Sequence, residues 1–285
     1  MKSKNSFRTF SLSVIWLWLF LFALLPFCLI LTASFMEQNI TDVFQFSFTL
    51  ENYRQLNNTV YFRIFEKSFL MAGVATLVCL LLGYPFAYLI ARMHGTWKNF
   101  LLLLVIIPFW TSSLIRTYAL IALIKTKGII NLMLMSLGII HEPLHLLFTN
   151  TAVIIGLVYN LLPFMILPIM TNVERLDTRL IDAARDLGAN RFTTFRRVII
   201  PLTMPGIIGG SILVFLPAMT IFYIPDILGG AKSILLGNLI QNKFLVAQNW
   251  PLGSAVSIAL TFVLILLILI YKWVSEGTKN KEWLS

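Results

Sequence analysis

The chain has 285 residues, of which 58% are hydrophobic and 12% are charged. Soluble globular proteins carry about 25% charged residues, so this composition excludes an ordinary soluble domain. The net charge is +10, but the basic residues are confined to short segments between long apolar runs, which argues against a nucleic-acid partner.

Long charge-free windows divide the chain. They lie at 9–36, 68–91, 143–173, 198–225 and 244–271, and a sixth at 99–124 is interrupted only by Arg116. Each window exceeds the roughly 20 apolar residues that cross a bilayer as a helix. We therefore predict an all-α integral membrane protein with six transmembrane helices, at 11–34, 66–91, 99–124, 150–173, 203–225 and 253–274.

The distribution of lysine and arginine predicts the orientation in the membrane. With six spans both termini share one side, and that side carries fourteen basic residues against seven on the other. Because cytoplasmic loops are enriched in Lys and Arg, we expect both termini in the cytoplasm. The first span follows a basic start, as a signal peptide does, but its apolar core is too long and no small-residue cleavage site follows it, so we expect it to be retained.

The first two spans contain few polar signals. Pro26 is expected to bend the first span because proline removes a backbone donor. In the following outer loop, Thr49 is expected to cap a short helix at 48–53. Cys28 and Cys79 both fall inside spans, where we interpret them as apolar packing residues.

Arg116 lies well inside the third predicted span. An ionisable group in lipid is costly, so its side chain should face protein or water. This placement suggests a gate or a structural role for Arg116, with Asp226 as a candidate partner. The alternative is that Arg116 extends along the helix to the membrane interface.

The outer loop before the fourth span contains a zinc-protease pattern, His141-Glu142-Pro143-Leu144-His145. That chemistry requires one helix to present both histidines to the metal, with a third ligand elsewhere. Pro143 disfavours a regular helical turn between them, and the remaining histidine, His94, is predicted on the opposite side of the membrane. We therefore expect an ordinary loop and no metal site.

A charged segment at 174–200 separates the fourth and fifth predicted spans. Asp177 or Thr178 can cap a helix there, and Gly188 with Asn190 permits a turn. Apolar residues at helical spacing form one face of each flanking helix: Ile181, Ala184 and Leu187 or Gly188 before the turn, and Phe192, Phe195 and Ile199 after it, with the second helix ending near Pro201. The simplest interpretation is a helix that lies on the lipid headgroups.

A second interpretation comes from residue spacing. The segment resembles the cytoplasmic signature of the permeases of binding-protein-dependent ATP-binding-cassette (ABC) importers: a Glu-Ala-Ala triplet, a glycine four residues after its last alanine, and an Ile-x-Leu-Pro end. The matching residues here are Asp182, Ala183, Ala184, Gly188, Val198, Ile200 and Pro201. Three of them are conservative departures: Asp for Glu, Val for Ile and Ile for Leu.

This resemblance implies a type I ABC importer permease, in which the segment between spans four and five is a coupling helix that docks on an ATPase. It covers about 60–275, so we divide the chain into 1–60 (N-terminus, first span and start of the outer loop), 61–275 (transmembrane core) and 276–285 (cytoplasmic tail). The chain contains no Gly-x-x-x-x-Gly-Lys-Ser/Thr phosphate loop. We therefore expect a non-catalytic subunit with no cofactor of its own, ATP and Mg²⁺ being bound by a separate ATPase homodimer.

Two further runs, at 108–118 and at 224–240, resemble the permeases of spermidine/putrescine importers. That resemblance implies three further features: a bacterial inner-membrane location, a second homologous permease and a periplasmic polyamine-binding protein. A polyamine needs carboxylates for its charge and aromatic faces for its ammonium groups and methylenes. The main substrate-path candidate is therefore Asp226. Phe222 and Tyr223 precede it, and Pro225 is expected to end the helix between them and Asp226. Its alternative role is to cap a surface loop.

Three further side chains are weaker candidates for the substrate path, namely Trp110, Tyr159 and Asn160. Packing or interface anchoring is the competing interpretation for each. At the level of the whole chain, an importer permease for another small solute remains an alternative, as do an ATPase-independent secondary transporter and a membrane-embedded enzyme that depends on the His141–His145 pattern.

Overall fold

The computed structural model of the chain describes residues 2–38, 47–230 and 233–282. Its regular structure is helical. The α-helices are α1 (Lys2–Leu19), α2 (Leu25–Ala33), α3 (Glu51–Leu56), α4 (Thr59–Arg92), α5 (Thr96–Ile106), α6 (Ser113–Ile124), α7 (Ile129–Ser136), α8 (Asn150–Glu174), α9 (Thr178–Asp186), α10 (Arg191–Thr194), α11 (Ile200–Thr220), α12 (Leu236–Gln241) and α13 (Trp250–Glu282). A 3₁₀ turn covers Ile107–Trp110, and π-helical turns cover Phe20–Leu24, Phe195–Ile199, Pro225–Gly229 and Asn242–Val246.

Within the described residues, six helical stretches are long and apolar enough to cross a membrane. They are Phe10–Ala33, Thr59–Arg92, Ser113–Ser136, Asn150–Glu174, Arg191–Thr220 and Trp250–Leu269. The predicted all-α class and the number of spans are therefore confirmed.

The third span differs from its prediction, because the helix expected at 99–124 is interrupted. Pro108 lies in a 3₁₀ turn, and Thr111 and Ser112 are extended, with ψ values of 146° and 130°. The hydroxyl of Thr111 donates to the Pro108 carbonyl at 2.9 Å, which ends the first helix. Arg116 consequently lies in the first turn of α6 and not in the middle of a long helix.

Residues 63–238 form one of two compact units, and α8 is its central helix, buried along most of its length. α11 packs against α8 through glycines. A Cβ atom on Gly210 would lie 2.9 Å from the Met165 sulfur and 3.1 Å from the Met165 carbonyl oxygen, and one on Gly206 would lie 2.8 Å from the Pro168 carbonyl oxygen. Small residues of this kind let helix backbones approach closely in lipid.

Polar contacts fasten the ends of the helices in this unit. The hydroxyl groups of Tyr84 and Thr203 are 3.0 Å apart and join α4 to α11. Lys98 at the start of α5 forms a 2.7 Å ion pair with Glu174 at the end of α8. Both side chains of that ion pair are about 30% exposed, so the pair is partly shielded from water.

The second unit comprises residues 1–62 and 239–285, in which α2 packs along α13. The π-helical turn Phe20–Leu24 leads directly into Pro26, in the first turn of α2. A π turn adjacent to a proline is a recognised cause of helix bending.

The outer loop of this unit contains the predicted short helix, observed as α3. α3 begins three residues later than predicted, and its N-cap is Leu50, without a side-chain cap bond. The prediction that Thr49 is the cap is therefore wrong: Thr49 lies one residue before the cap, where its hydroxyl accepts a hydrogen bond from the Glu51 backbone N–H at 3.1 Å. Asn52 fixes α3 to the end of the first span by donating to the carbonyl oxygens of Ser34 and Met36.

The zinc-protease pattern does not lie on a helix. Residues 140–148 form turns and extended chain, held in place by Asn131, which exchanges two hydrogen bonds with the Leu144 backbone at 2.9 and 3.0 Å. Because His141 and His145 are not presented from one helical face, the geometry that the motif needs is missing. No cluster of three or more His, Cys, Asp or Glu side chains that could hold a metal occurs among the described residues.

Candidate functional site

The segment that follows α8 forms a helix, a tight turn and a second helix. Asp177 caps α9 by accepting a hydrogen bond from the Arg179 N–H at 2.9 Å. After α9, Gly188 adopts φ +82°, and its N–H bonds to the Arg185 carbonyl at 2.8 Å. Asn190 then caps α10 by accepting from the Thr193 N–H at 2.8 Å. Each helix end predicted in this segment, apart from the one near Pro201, is therefore defined by a local hydrogen bond.

Most signature residues of this segment are exposed. Asp182, Ala183 and Gly188 are open to solvent, whereas Ala184 is half-buried. A Cβ atom on Gly188 would have no neighbour within 4 Å, so only its positive φ, and not crowding within the chain, favours glycine there. The segment presents a shallow surface that nothing in the rest of the described chain covers.

The apolar face predicted on α9 is only partly correct. Ile181 is buried, with 7% exposure, and holds α9 against the following helix. Leu187 is instead 89% exposed, and so are Leu180 (48%) and Phe192 (71%). Leu187 leaves the buried face because the turn at Gly188 redirects the chain at the end of α9. Exposed large apolar side chains near one another in sequence are consistent with a contact to protein or lipid.

Pro201 does not end a helix, contrary to the prediction. It lies in the first turn of α11, which continues without a break from the π-helical turn Phe195–Ile199. The π turn changes the hydrogen-bond ladder just where proline lacks its donor, so the helix passes through. α10, the π-helical turn and the fifth span therefore form one continuous helical stretch, Arg191–Thr220.

The fifth span ends earlier than expected. α11 stops at Thr220, Ile221 is extended with ψ 122°, and Pro225 begins the next helical turn. The Ile221 N–H donates to the Pro217 carbonyl at 2.8 Å, and the hydroxyl of Thr220 also donates to the carbonyls of Leu216 and Pro217 at 3.3 and 3.2 Å. The prediction that Pro225 ends the span is wrong, and Phe222, Tyr223 and Asp226 all lie beyond the break.

The carboxylate of Asp226 is exposed and accepts a hydrogen bond from the Asn238 side chain. Asn238, which is 6% exposed, also donates to the Phe222 carbonyl at 2.7 Å and accepts from the Leu235 N–H at 3.1 Å. Asn238 thus joins Phe222, Asp226 and Leu235 in the return segment after α11. It was not predicted as a functional residue, although it lies inside the run at 224–240 that carried a family resemblance.

A second group of polar side chains lies where α6, α8 and the segment after α11 meet. The Tyr223 hydroxyl donates to the Ser113 hydroxyl at 2.8 Å. The guanidinium carbon of Arg116 lies 5.9 Å from the centre of the Tyr159 ring. The Asn160 amide donates to the Gly156 carbonyl at 2.9 Å and approaches the Thr117 hydroxyl at 3.5 Å. We call Ser113, Arg116, Thr117, Tyr159, Asn160 and Tyr223 the α6–α8 polar cluster.

The structure therefore brings together four of the predicted site residues, Arg116, Tyr159, Asn160 and Tyr223. It does not contain the suggested Arg116–Asp226 ion pair: Asp226 bonds to Asn238, and the Arg116 Nε and Nη1 atoms are buried without a hydrogen-bond partner among the described residues. Trp110 lies outside the cluster, 78% exposed at the end of the 3₁₀ turn.

Comparison with known families decides the class of protein. The family model described as "Binding-protein-dependent transport system inner membrane component" matches residues 83–278. The chain belongs to this family. The match includes α9, the turn at Gly188 and the whole α6–α8 polar cluster.

Individual members of the family are similar over almost the full length. The spermidine/putrescine transport system permease protein PotB of Haemophilus influenzae is 51% identical over 267 residues, covering 94% of this chain and 93% of that protein. The PotB protein of Escherichia coli K12 is 49% identical over 265 residues, covering 93% and 96%. The predicted resemblance to this group of binding-protein-dependent permeases is confirmed.

The fold also matches a solved ABC transporter. A chain from the crystal structure of a bacterial ABC transporter involved in the import of alginate superposes with a TM-score of 0.78, covering 96% of both chains at 15% identity. Such low identity shows the fold alone. The predicted ABC importer permease fold is confirmed, and the class is that of a multi-pass transport subunit of the inner membrane.

Proposed function

We propose that this chain is a pore-forming permease subunit of an ATP-driven importer of spermidine and putrescine. The observation that carries the proposal is the 48–51% identity, over 93–99% of this chain, with several permease proteins named for spermidine/putrescine transport. Similarity that extends from end to end includes the predicted substrate path as well as the scaffold.

Energy for transport is supplied by another polypeptide. An ATPase homodimer binds ATP and Mg²⁺ and receives α9 in a surface cleft, with Asp182, Ala183, Ala184 and Gly188 at the contact. The exposure of α9 and of Leu187 supports this role. α9 is joined through the turn at Gly188 to Arg191–Thr220, which is one continuous helical stretch. A displacement of docked α9 is transmitted through that turn into the membrane, which biases the equilibrium between inward-open and outward-open states.

Two further partners complete the importer: a second homologous permease, and a periplasmic polyamine-binding protein that delivers the substrate. Both termini of this chain are cytoplasmic, so α3 and the loop at residues 140–148 are periplasmic. One structural neighbour is a bacterial alginate ABC transporter that was crystallised in complex with a periplasmic protein bound to an alginate pentasaccharide. That complex supports the periplasmic partner proposed here.

The decisive experiment is uptake in the source organism. Deletion of the gene is expected to abolish uptake of radiolabelled spermidine and putrescine, and a wild-type copy on a plasmid is expected to restore it. Uptake of labelled proline serves as the control for membrane energisation. Unchanged polyamine uptake in the deletion strain, with the second permease present, contradicts the proposal.

The same strains test the alternative that the importer carries another small solute. A panel of labelled amines, amino acids and sugars, measured in the deletion and restored strains, identifies a solute whose uptake follows the gene. Vanadate inhibition of the restored uptake separates an ATPase-driven importer from a secondary transporter.

A further inference from the structure

The α6–α8 polar cluster contains a cation that has no counter-ion among the described residues. Arg116 lies in the first turn of α6, with its Nε and Nη1 atoms buried and without a hydrogen-bond partner. Its guanidinium carbon lies over the face of the Tyr159 ring, 5.9 Å from the centre. Ring faces attract cations within about 6 Å of the centroid.

The same cluster contains an acceptor that has no donor. Asn160 is 3% exposed, and its Oδ1 atom is buried without a hydrogen-bond partner among the described residues. The orientation of the amide is fixed, because Nδ2 must face the Gly156 carbonyl to which it donates at 2.9 Å. An unsatisfied buried acceptor is unfavourable, so this oxygen is positioned for a donor that the described chain does not supply.

These two features occupy adjacent positions on the same pair of helices. Arg116 and Thr117 are consecutive on α6, and they contact Tyr159 and Asn160, which are consecutive on α8. Tyr159 is 44% exposed, so this residue is reached from outside the helix pair. The ring and the free carbonyl oxygen belong to neighbouring residues of α8, and an aromatic face and a carbonyl oxygen each attract an ammonium group.

We propose that Tyr159 and Asn160 form a subsite for one ammonium group of the transported polyamine, and that the guanidinium of Arg116 occupies it when no substrate is present. Arg116 is thus an internal competitor. An incoming ammonium displaces the guanidinium from the Tyr159 ring, donates to Asn160 Oδ1 and satisfies the free acceptor. This inference rests on the proposed polyamine function and assigns Arg116 a role in it.

The charge of Arg116 supports this assignment over direct contact with the substrate. A fixed cation repels a polycation, so Arg116 cannot remain on the Tyr159 face while an ammonium binds there. Its displacement therefore accompanies substrate entry. A competing cation weakens binding in the membrane domain, and weak binding favours release of the substrate from the pore.

The test is spermidine binding to the complete transporter, purified through an affinity tag on this chain, reconstituted in nanodiscs without nucleotide or binding protein. Removal of the competitor by Arg116→Gln is expected to lower the dissociation constant for radiolabelled spermidine about 5-fold or more. Arg116→Lys keeps the positive charge and is expected to bind as weakly as the wild type. In the Arg116→Gln background, Tyr159→Leu should abolish the gain, whereas Tyr159→Phe, which keeps the ring, should retain it.

The chain provides a matched control. Arg92 lies 5.6 Å from the centre of the Tyr88 ring and also has buried guanidinium nitrogens without hydrogen-bond partners in the described part of the chain, but neither it nor Tyr88 belongs to the cluster. Arg92→Gln is expected to leave spermidine binding unchanged. An equal gain in Arg92→Gln would show a general charge effect and overturn the proposal.

Two outcomes distinguish failure of this inference from failure of the proposed function. If the wild-type transporter imports spermidine but Arg116→Gln binds it no more tightly than Arg116→Lys, the inference is wrong and the function stands. If the wild type neither binds nor imports polyamines, both are wrong. Should Arg116→Gln fail to assemble, Tyr159→Leu and Tyr159→Phe in the wild-type chain decide: spermidine import that is equal in both overturns the subsite.

Discussion

At the scale of single residues, Gly188 and Asn238 differ in why the fold needs them. Gly188 needs only its positive φ, since no atom approaches its missing Cβ within 4 Å. Asn238 meets three requirements at once, with bonds to Phe222, Leu235 and Asp226. The motif revealed Gly188 in the sequence. Nothing local revealed Asn238, because its partners lie 3 to 16 residues away and meet only after the chain has turned back.

Gly188 provides a test that separates backbone conformation from contact with the ATPase. Asparagine tolerates the left-handed region, whereas a β-branched residue does not. Gly188→Asn is expected to retain co-purification of the ATPase and uptake, and Gly188→Val is expected to lose both, because the turn after α9 would open. The measurement is the ATPase stoichiometry in tagged complexes. Equal loss in both variants would mean that the partner approaches this position too closely for any side chain.

Asp226 allows its charge to be removed without disturbing the fold. In Asp226→Asn the new amide oxygen can still accept the hydrogen bond from Asn238, so the return segment should remain folded. If the carboxylate attracts the substrate, uptake of labelled spermidine should fall several-fold at equal expression. Uptake equal to wild type would assign Asp226 the competing role, that of fixing the loop.

Asn238 should matter for stability. Asn238→Leu leaves the Leu235 N–H without its partner, and a buried unsatisfied group costs about 1–3 kcal/mol. It also removes one of the two hydrogen bonds to the Phe222 carbonyl, which keeps the bond from the Asp226 N–H. We expect a lower melting temperature for the purified complex, measured by differential scanning fluorimetry. Asn172→Leu is the comparison, since its side chain is described with a single bond, to the Pro168 carbonyl within its own helix. A smaller loss in Asn238→Leu than in Asn172→Leu would contradict this view of the return segment.

At the scale of elements, hydropathy predicted which stretches are helical but not where the helices break. The window at 99–124 is apolar throughout, yet Pro108 and the extended residues Thr111 and Ser112 divide it. The fifth span begins at Arg191, before its apolar window, because α10 and the π turn run directly into α11. Both differences depend on hydrogen bonds near proline, which hydropathy does not report. The α6–α8 polar cluster was missed as a unit for a related reason, since its members come from three separate elements.

Adjacent glycines on α11 give a matched test of helix packing. Gly210 faces α8, where a Cβ would lie 2.9 and 3.1 Å from Met165 atoms, whereas a Cβ on Gly209 would meet nothing within 4 Å. Gly210→Val is therefore expected to lower the melting temperature of the complex and its yield, because α8 and α11 must separate. Gly209→Val should have little effect on packing. Similar losses in both variants would contradict the close α8–α11 approach at Gly210.

At the scale of the whole molecule, the membrane topology depends on whether α5 and α6 together make one crossing of the membrane or two. α5 with its 3₁₀ turn, Thr96–Trp110, is about 24 Å long by helix geometry, which is short of a bilayer core of about 30 Å. If α5 and α6 cross the membrane together as one span, the turn at His94 is cytoplasmic and the loop at Lys127 is periplasmic. This arrangement is the one in which both termini are cytoplasmic.

Single cysteines test that count. In a chain with Cys28 and Cys79 replaced by alanine, His94→Cys is expected to react with a membrane-impermeant maleimide only after the cells are permeabilised. Lys127→Cys is expected to react in cells in which only the outer membrane has been permeabilised. A C-terminal fluorescent-protein fusion should fluoresce, since the C-terminus is expected in the cytoplasm. Labelling of both cysteines from the same side would mean that the chain between residues 94 and 127 returns to the side from which it started. α9 would then lie on the opposite side of the membrane from the one proposed.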